Sequence, residues 1–183
     1  LFGETPKKNT KLSDHVFDLI TLRSDTAFGQ YLSQSLKMVD QIGDKKNSIL
    51  IIVENEHIIA HDIKRKLEKQ GYIVTDITTN YNQAIKSIEN NIPNLVLMDI
   101  KINGEKDGIE TAMHIKNIYK IPIIFVTAYV NTSLTEKAKP VEPFAYIVKP
   151  VAAESLYSNI ELALHKDEQI KFRYKTLLSE RKQ

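Results

Sequence analysis

Four short apolar runs of the sequence end in residues whose types could do chemistry. The run "LVLM", residues 95–98, is followed at once by the lone carboxylate of Asp99. A charge at the end of a buried strand needs a partner or a use, because burying it without one is costly. One of the other three runs ends in the acid Glu54 beside the amide Asn55. The remaining two end in the hydroxyl of Thr127 and the ammonium group of Lys149.

These residue types together suit a divalent cation and a phosphoryl group. Carboxylate and amide oxygens are the hard ligands that Mg²⁺ prefers, and Mg²⁺ needs only one or two carboxylates because it keeps several waters. A lysine nearby suits an anion such as a phosphoryl group. Taken singly, Asp99 could be a helix cap, Thr127 a strand residue and Lys149 a solvated surface charge. Their joint placement at strand ends favours the functional interpretation.

The residues that must position them alternate between short strands and amphipathic helices from Ser48 onward. The predicted strands are Ile49–Val53, Ile73–Ile77, Leu95–Met98, Pro122–Val126 and Ala145–Val148. The predicted helices are Glu56–Gln70, Tyr81–Glu89, Gly108–Ile118, Asn131–Lys137 and a last one from Ala152 onward. This (βα)5 order predicts a doubly wound parallel sheet with helices on both faces. Ligands of such sheets bind outside the carboxyl ends of the strands.

The two ends of the chain have a different character. Residues 1–47 are polar, with apolar residues at helical spacing, and predict an N-terminal helical extension or linker. The central domain is predicted over residues 48–165. Apolar residues at a 3-4 spacing continue the last helix through residues 166–183, which predicts an extended C-terminal helix that serves as a signalling linker or a dimer seam. A solvated helical tail is the open alternative.

Composition narrows the class of protein. The 183 residues include no cysteine, which excludes disulfides and cysteine nucleophiles and fits a reducing, cytoplasmic setting. The formal net charge of +2 gives no argument for a nucleic-acid or membrane partner. No apolar run approaches the roughly 20 residues that a membrane span needs. We therefore expect a cytoplasmic protein that contacts neither nucleic acid directly nor a membrane.

As a set, "VENE", "LVLMD", "DGIE", "FVTA" and "YIVKP" make residues 48–165 resemble the receiver domain of two-component response regulators. The resemblance implies a flavodoxin-like (βα)5 fold in which Asp99 is the phosphoacceptor. It implies Mg²⁺ or Mn²⁺ as cofactor, with Glu54, Asn55, Asp99 and the carbonyl of Lys101 as ligands. It also implies that Thr127 and Lys149 assist catalysis, that Thr127 and Tyr146 form the switch, and that the Lys149–Pro150 peptide bond is cis.

The function implied is that of a phosphoacceptor in a phosphorelay. A histidine kinase or phosphotransfer protein would supply the phosphoryl group, and the domain would catalyse its own phosphorylation and dephosphorylation rather than act as an ordinary enzyme. The partner surface would act on an adjacent output or sensor domain. A homodimer through the fourth helix and fifth strand, or through the C-terminal helix, is also implied. The chain further resembles receivers of multi-domain sensor kinases or regulators, particularly archaeal ones.

The sequence departs from that family where its metal-binding pair usually has an aspartate, because Asn55 stands there. A neutral amide predicts weak Mg²⁺ binding, although Glu54 or Glu56 could compensate. The alternative function is a pseudo-receiver that acts through protein contacts with little or no phosphorylation. A flavin-binding electron carrier is disfavoured because the acidic "VENEHI" would repel phosphate. Pro140 and Pro143 predict a short fourth helix.

Overall fold

The computed structural model describes residues 48–180. The predicted helical extension over residues 1–47 and the last three residues of the predicted tail lie outside the described residues. In chain order the strands are β1 (Ile49–Val53), β2 (Ile73–Thr78), β3 (Leu95–Asp99), β4 (Ile123–Thr127) and β5 (Ala145–Val148). The α-helices are α1 (His57–Lys69), α2 (Tyr81–Asn90), α3 (Gly108–Tyr119), α4 (Thr132–Ala138) and α5 (Ala153–Glu180). Each bound lies within one residue of its prediction.

The five strands form one parallel sheet in the order β2-β1-β3-β4-β5. The chain moves from β1 outward to β2 and then returns to place β3 on the other side of β1. The order therefore reverses between β1 and β3, and this is the point where a doubly wound sheet opens a crevice for ligands. The prediction of a flavodoxin-like (βα)5 fold is confirmed.

The core lies on both faces of the sheet, because successive residues of a strand point to opposite sides. In β3, Val96 and Met98 pack with side chains of α2 and α3. Leu95 and Leu97 pack on the other face with side chains of α1 and α5. Every residue of β3 and of β4 is buried. This two-sided burial explains why both strands are continuous apolar runs rather than alternating ones.

Side-chain caps start three of the helices at the edge of the sheet where the strands end. Asn80 accepts a hydrogen bond from the backbone of α2, and Asn131 does the same for α4. Asp107 and Glu110 form a reciprocal capping box at the start of α3. The residue before α1 is Glu56, whose side chain makes no capping hydrogen bond among the described residues. Its carboxylate is therefore available for another contact.

The prediction of a short fourth helix is confirmed. The α4 helix has 7 residues and passes directly into a 3-10 turn, Lys139–Val141, that contains Pro140. Glu142 follows with a φ of 49° in the left-handed region, immediately before Pro143. The proline-rich stretch therefore ends the helix and returns the chain to β5.

The last helix, α5, runs without interruption over 28 residues. Two hydrogen bonds hold its first half to the α1–β2 loop and to α1: Tyr72 donates to Glu161, and Tyr157 donates to the carbonyl of Lys66. In its second half Ile170 and Phe172 are exposed. The division between residues 165 and 166 stays a prediction. Over residues 48–180, no helix has the length and apolar character to cross a bilayer.

The first residue of α3 is a glycine because the helix begins against the backbone of β3. A Cβ at Gly108 would lie 1.9 Å from the carbonyl oxygen of Asp99. The amide of Gly108 also donates to the carbonyl of Ile100 at 2.9 Å. The start of α3 and the end of β3 are thus in direct contact.

We expect Gly108→Ala to lower the free energy of unfolding by roughly 2–3 kcal/mol, because the helix and the end of β3 must move apart to admit the methyl group. Urea denaturation measures this difference. Asn117→Ala on the exposed face of the same helix is the control and should change the value by less than about 0.5 kcal/mol. Equal stability of the two variants would show that the contact between α3 and the end of β3 does not require a glycine at position 108.

Candidate functional site

The strand ends of β1, β3 and β5 place four charged side chains in one crevice. The ammonium nitrogen of Lys149 lies 2.7 Å from Glu54 Oε2, 3.0 Å from Asp99 Oδ2 and 3.1 Å from Glu56 Oε1. Glu54 and Asp99 are buried, and the Lys149 side chain is only 10% exposed. One lysine is therefore shared by three carboxylates at a largely dry site.

Burial and pairing act in opposite directions on these groups. Burial raises the pKa of Glu54, and its hydrogen bond to Lys149 opposes that rise without cancelling it. Burial also disfavours the Lys149 ammonium, but the hydrogen bonds to Glu54 and Asp99 outweigh it and raise the pKa of the lysine. Lys149 is therefore a permanent cation at neutral pH.

The peptide bond that follows this lysine, Lys149–Pro150, is cis, as the resemblance implies. The amide nitrogen of Lys149 donates to the carbonyl of Thr127 at 2.8 Å. This bond extends the pairing of β4 and β5 to the point where the lysine side chain leaves the sheet. The position of the ammonium group is thus set by the sheet.

Oxygen acceptors surround the Asn55 amide at the ends of β1 and β3. With its nitrogen turned toward them, the amide donates to the carbonyl oxygen of Lys101 at 2.9 Å and to Glu54 Oε1 at 3.3 Å. A cation among these groups would instead favour the opposite orientation, in which the amide presents its oxygen. Glu54 Oε2 is buried, with the Lys149 ammonium 2.7 Å away. This all-oxygen set fits Mg²⁺.

Glu56 joins the cluster although it lies three residues beyond the end of β1. Its backbone amide donates to Glu54 Oε1 at 3.0 Å, and its side chain turns back toward Lys149. One carboxylate oxygen from each of Glu54, Glu56 and Asp99 lies within 4.8 Å of the others. Sequence reasoning considered Glu56 only as a residue that could compensate for Asn55. The alternation "ENE" was the sequence signal that Glu56 could join Glu54. No sequence motif predicts the turn that brings the Glu56 side chain back toward the strand end.

The two predicted switch residues lie beside the cluster rather than in it. The hydroxyl of Thr127 donates to the carbonyl of Tyr129 at 3.2 Å, within its own loop. Tyr146 is partly buried and stacks on Phe125 with 5.6 Å between ring centroids. Burial raises the pKa of Tyr146, so its hydroxyl stays protonated at neutral pH.

The loop that follows β3 approaches the site from the other side. The amide of Asn103 donates to the carbonyl of Thr79 at 2.9 Å, which ties this loop to the end of β2. The Lys101 ammonium lies 5.5 Å from the centroid of the Tyr129 ring, a distance typical of a cation–π contact. These contacts join the β3–α3 loop to the end of β2 and to the β4–α4 loop.

Removing the shared lysine should make stability depend on pH in a defined direction. We expect Lys149→Met to be less stable than wild type by about 3 kcal/mol near pH 7, because three carboxylates remain clustered without their cation. Loss of Lys149 raises the pKa of Glu54 further, above its unfolded value of 4.5. A carboxyl with a raised folded pKa contributes stability that is fully present below the unfolded pKa and lost as pH rises through the folded one. The difference in the free energy of unfolding between wild type and Lys149→Met, the stability deficit of the variant, should therefore be smaller near pH 4 than near pH 7.

Urea unfolding at the two pH values, with a chelator present, measures the deficit. The control is Lys137→Met, which removes an exposed ion pair with Asp107. It should cost less than about 1 kcal/mol at either pH. A Lys149→Met deficit that did not change with pH would contradict the shared-lysine description.

Comparison with known proteins agrees with this geometry. The family model described as "Response regulator receiver domain" matches residues 50–161. The transcriptional regulatory protein PdtaR of Mycobacterium tuberculosis is 32% identical over 121 residues, which cover 66% of this chain and 58% of that protein. The phyllosphere-induced regulator PhyR of Methylorubrum extorquens is 31% identical over 139 residues, which cover 73% of this chain and 51% of that protein. The chain thus spans a little over half the length of these relatives.

A solved structure shares the fold and is matched over almost its whole length. The signal receiver domain of a modulated diguanylate cyclase from Desulfovibrio desulfuricans aligns with a TM-score of 0.64 and 35% sequence identity. The alignment covers 67% of this chain and 97% of that one. The fold, the family match and the strand-end site agree, and the chain belongs to the response regulator receiver domain family of two-component signalling proteins.

Proposed function

We propose that this receiver domain accepts a phosphoryl group on Asp99 from a phosphohistidine or a small phosphodonor. The observation that supports this most is the contact of 3.0 Å between the Lys149 ammonium and Asp99 Oδ2 at a nearly dry strand end. The second carboxylate oxygen, Oδ1, lies 3.3 Å from the backbone amide of Lys101. Asp99 is thus held by a cation on one oxygen and by a weak donor on the other.

The transfer exchanges one bond to phosphorus for another. A carboxylate oxygen of Asp99 forms the new O–P bond while the P–N bond of the phosphohistidine breaks, and the imidazole nitrogen keeps the electron pair. Lys149 can turn from the carboxylates to a phosphoryl oxygen, because that oxygen is also negatively charged and takes their place as the partner of the ammonium. Hydrolysis reverses the change at Asp99, because water attacks phosphorus and the carboxylate leaves.

The residues that would hold Mg²⁺ or Mn²⁺ are Glu54, Asn55, Asp99 and the carbonyl of Lys101. A bound divalent cation offsets the negative charge that develops on the transferring oxygens. Asn55 contributes an oxygen but no charge, so these four ligands alone should bind Mg²⁺ weakly.

Phosphorylation adds about 1 to 2 negative charges beside Thr127. The Thr127 hydroxyl now donates within its own loop, and a phosphoryl oxygen would be a stronger acceptor. Exchange of this bond draws the loop toward Asp99 and makes room for Tyr146 to turn further inward. The surface around α4, β5 and α5 would then present the changed state to a partner.

The partners follow from this switch. A histidine kinase or a phosphotransfer protein supplies the phosphoryl group, and an adjacent output or sensor domain responds. We retain residues 48–165 as the receiver and residues 1–47 and 166–183 as extensions that connect it to such domains. A homodimer through the face of α4 and β5, where Val148 is 49% exposed, or through α5 is compatible with the exposed apolar side chains.

The alternative is a pseudo-receiver that acts through protein contacts with little or no phosphorylation. Asn55 favours it, because the position that usually brings a negative charge to the metal is neutral. The two proposals differ in whether Asp99 is ever modified.

Incubation with acetyl phosphate and Mg²⁺, followed by intact-mass measurement, separates them. We expect one phosphoryl adduct on the wild-type protein and none on Asp99→Asn, because only the carboxylate oxygen is a nucleophile. The conservative variant keeps the shape of the side chain, so it also serves as the structural control. Absence of the adduct from wild-type protein at high Mg²⁺ would favour the pseudo-receiver.

The switch can be tested separately from the chemistry. We expect Thr127→Val to take up the phosphoryl group but to lose the change in amide hydrogen exchange over residues 128–131 that follows phosphorylation of wild type, since the hydroxyl is gone and the shape is kept. Thr135→Val, in the neighbouring α4, is the matched control and should keep the response. An unchanged response in Thr127→Val would remove Thr127 from the switch.

A further inference from the structure

The carboxylate of Glu56 occupies a position that the proposed metal site does not use. It lies 3.1 Å from the Lys149 ammonium, which Glu54 and Asp99 also contact. Three carboxylates and one ammonium leave two units of negative charge in the cluster. Without Glu56 only one unit would remain, because Asn55 is neutral. A single divalent cation neutralises the cluster only if Glu56 belongs to it.

Two further observations place oxygen-bearing groups beside these carboxylates. The Asn55 amide lies 2.9 Å from the carbonyl oxygen of Lys101 and 3.3 Å from Glu54 Oε1, so it donates its nitrogen to them or, with a cation among them, presents its oxygen to the cation. Glu54 is buried, and its Oε2 atom has the Lys149 ammonium 2.7 Å away. The carboxylate, carbonyl and amide groups that would hold a divalent cation therefore converge at this end of the sheet.

The local backbone explains why Glu56 can reach this site. Its side chain makes no capping hydrogen bond to α1 among the described residues, although it is the residue before the helix. Its amide is held by Glu54 Oε1, which turns the chain back toward the strand end. The Glu56 side chain is 60% exposed, whereas that of Glu54 is 2% exposed. Glu56 is thus anchored through its backbone, while its carboxylate contacts Lys149 and stays largely exposed.

We infer that Glu56 supplies the negative charge that Asn55 lacks, and that it holds the divalent cation of this receiver directly or through a bound water. The inference rests on the metal site of the proposed function and assigns a further residue to it. A carboxylate three residues beyond the end of β1 thereby supplies the charge that is missing at Asn55, two residues beyond that end. The neutral Asn55 is then compatible with Mg²⁺ binding and with phosphorylation of Asp99.

A charge-exchange cycle on the full chain tests this inference by isothermal titration with Mg²⁺. We expect Glu56→Gln to raise the dissociation constant for Mg²⁺ about tenfold. The effect is modest because the Glu56 carboxylate is partly exposed and its charge is screened by solvent. Adding Asn55→Asp to Glu56→Gln should restore the affinity to within about twofold of wild type. Glu68→Gln is the matched control, since it makes the same substitution at a half-exposed position at the other end of α1 and should leave the affinity unchanged.

Three results would overturn the inference. The first is a Glu56→Gln variant that binds Mg²⁺ as tightly as wild type and Glu68→Gln. The second is a double variant that stays about tenfold weaker, since charge would then not be what Glu56 provides. The third is a wild-type protein without measurable Mg²⁺ binding.

Intact-mass measurement of the phosphoryl adduct on each protein keeps this test apart from that of the proposed function. An adduct on wild type with unchanged Mg²⁺ affinity in Glu56→Gln contradicts only the role of Glu56. A shifted Mg²⁺ affinity without an adduct on any of the proteins supports the role of Glu56 and contradicts phosphorylation of Asp99.

Discussion

The organisation of this receiver depends on one ammonium group shared by three carboxylates. Lys149 Nζ lies within 3.1 Å of an oxygen of Glu54, Glu56 and Asp99, which come from the ends of β1 and β3 and the residues just beyond. Like charges this close would repel one another in a buried crevice, so the lysine must be present for the folded state to tolerate them. The lysine also contacts Asp99 Oδ2 at 3.0 Å, and Asp99 is the nucleophile of the proposed phosphoryl transfer. Stability and reactivity thus depend on the same contact.

The sheet sets the geometry of that contact. Parallel pairing of β1, β3, β4 and β5 brings their carboxyl ends to one edge, and the Lys149 amide extends the pairing by bonding to the carbonyl of Thr127. Gly108 allows α3 to begin against the backbone of Asp99. In the proposed switch, a charge change at Asp99 acts on the β4–α4 loop through Thr127 and on the start of α3 through the backbone. The backbones of Lys149 and Thr127 are joined by one hydrogen bond, from the amide of Lys149 to the carbonyl of Thr127.

The fold was predictable from the sequence because its signals are local. The continuous apolar run of β3 indicates a strand buried on both faces, and the (βα)5 alternation dictates a parallel sheet whose ends coincide. Asp99 and Lys149 could therefore be placed in one crevice without coordinates. The contacts made by Glu56 and Thr127 could not, because they depend on how a few loop residues turn. Glu56 returns to the site because its amide binds Glu54, and Thr127 donates to Tyr129 within its own loop. The closeness of Gly108 to Asp99 likewise appears only when helix and strand are seen together.

In the proposed function, Asp99 and Lys149 form a phosphoryl site next to a divalent cation. A crystal structure of the protein with Mg²⁺ and beryllofluoride, a stable analogue of a phosphoryl group, would test this arrangement. We expect beryllium bonded to a carboxylate oxygen of Asp99, a fluorine within hydrogen-bond distance of Lys149 Nζ, and the metal in contact with Asn55 and the carbonyl of Lys101. An unmodified Asp99, with Lys149 still held by the three carboxylates and no metal beside them, would contradict it.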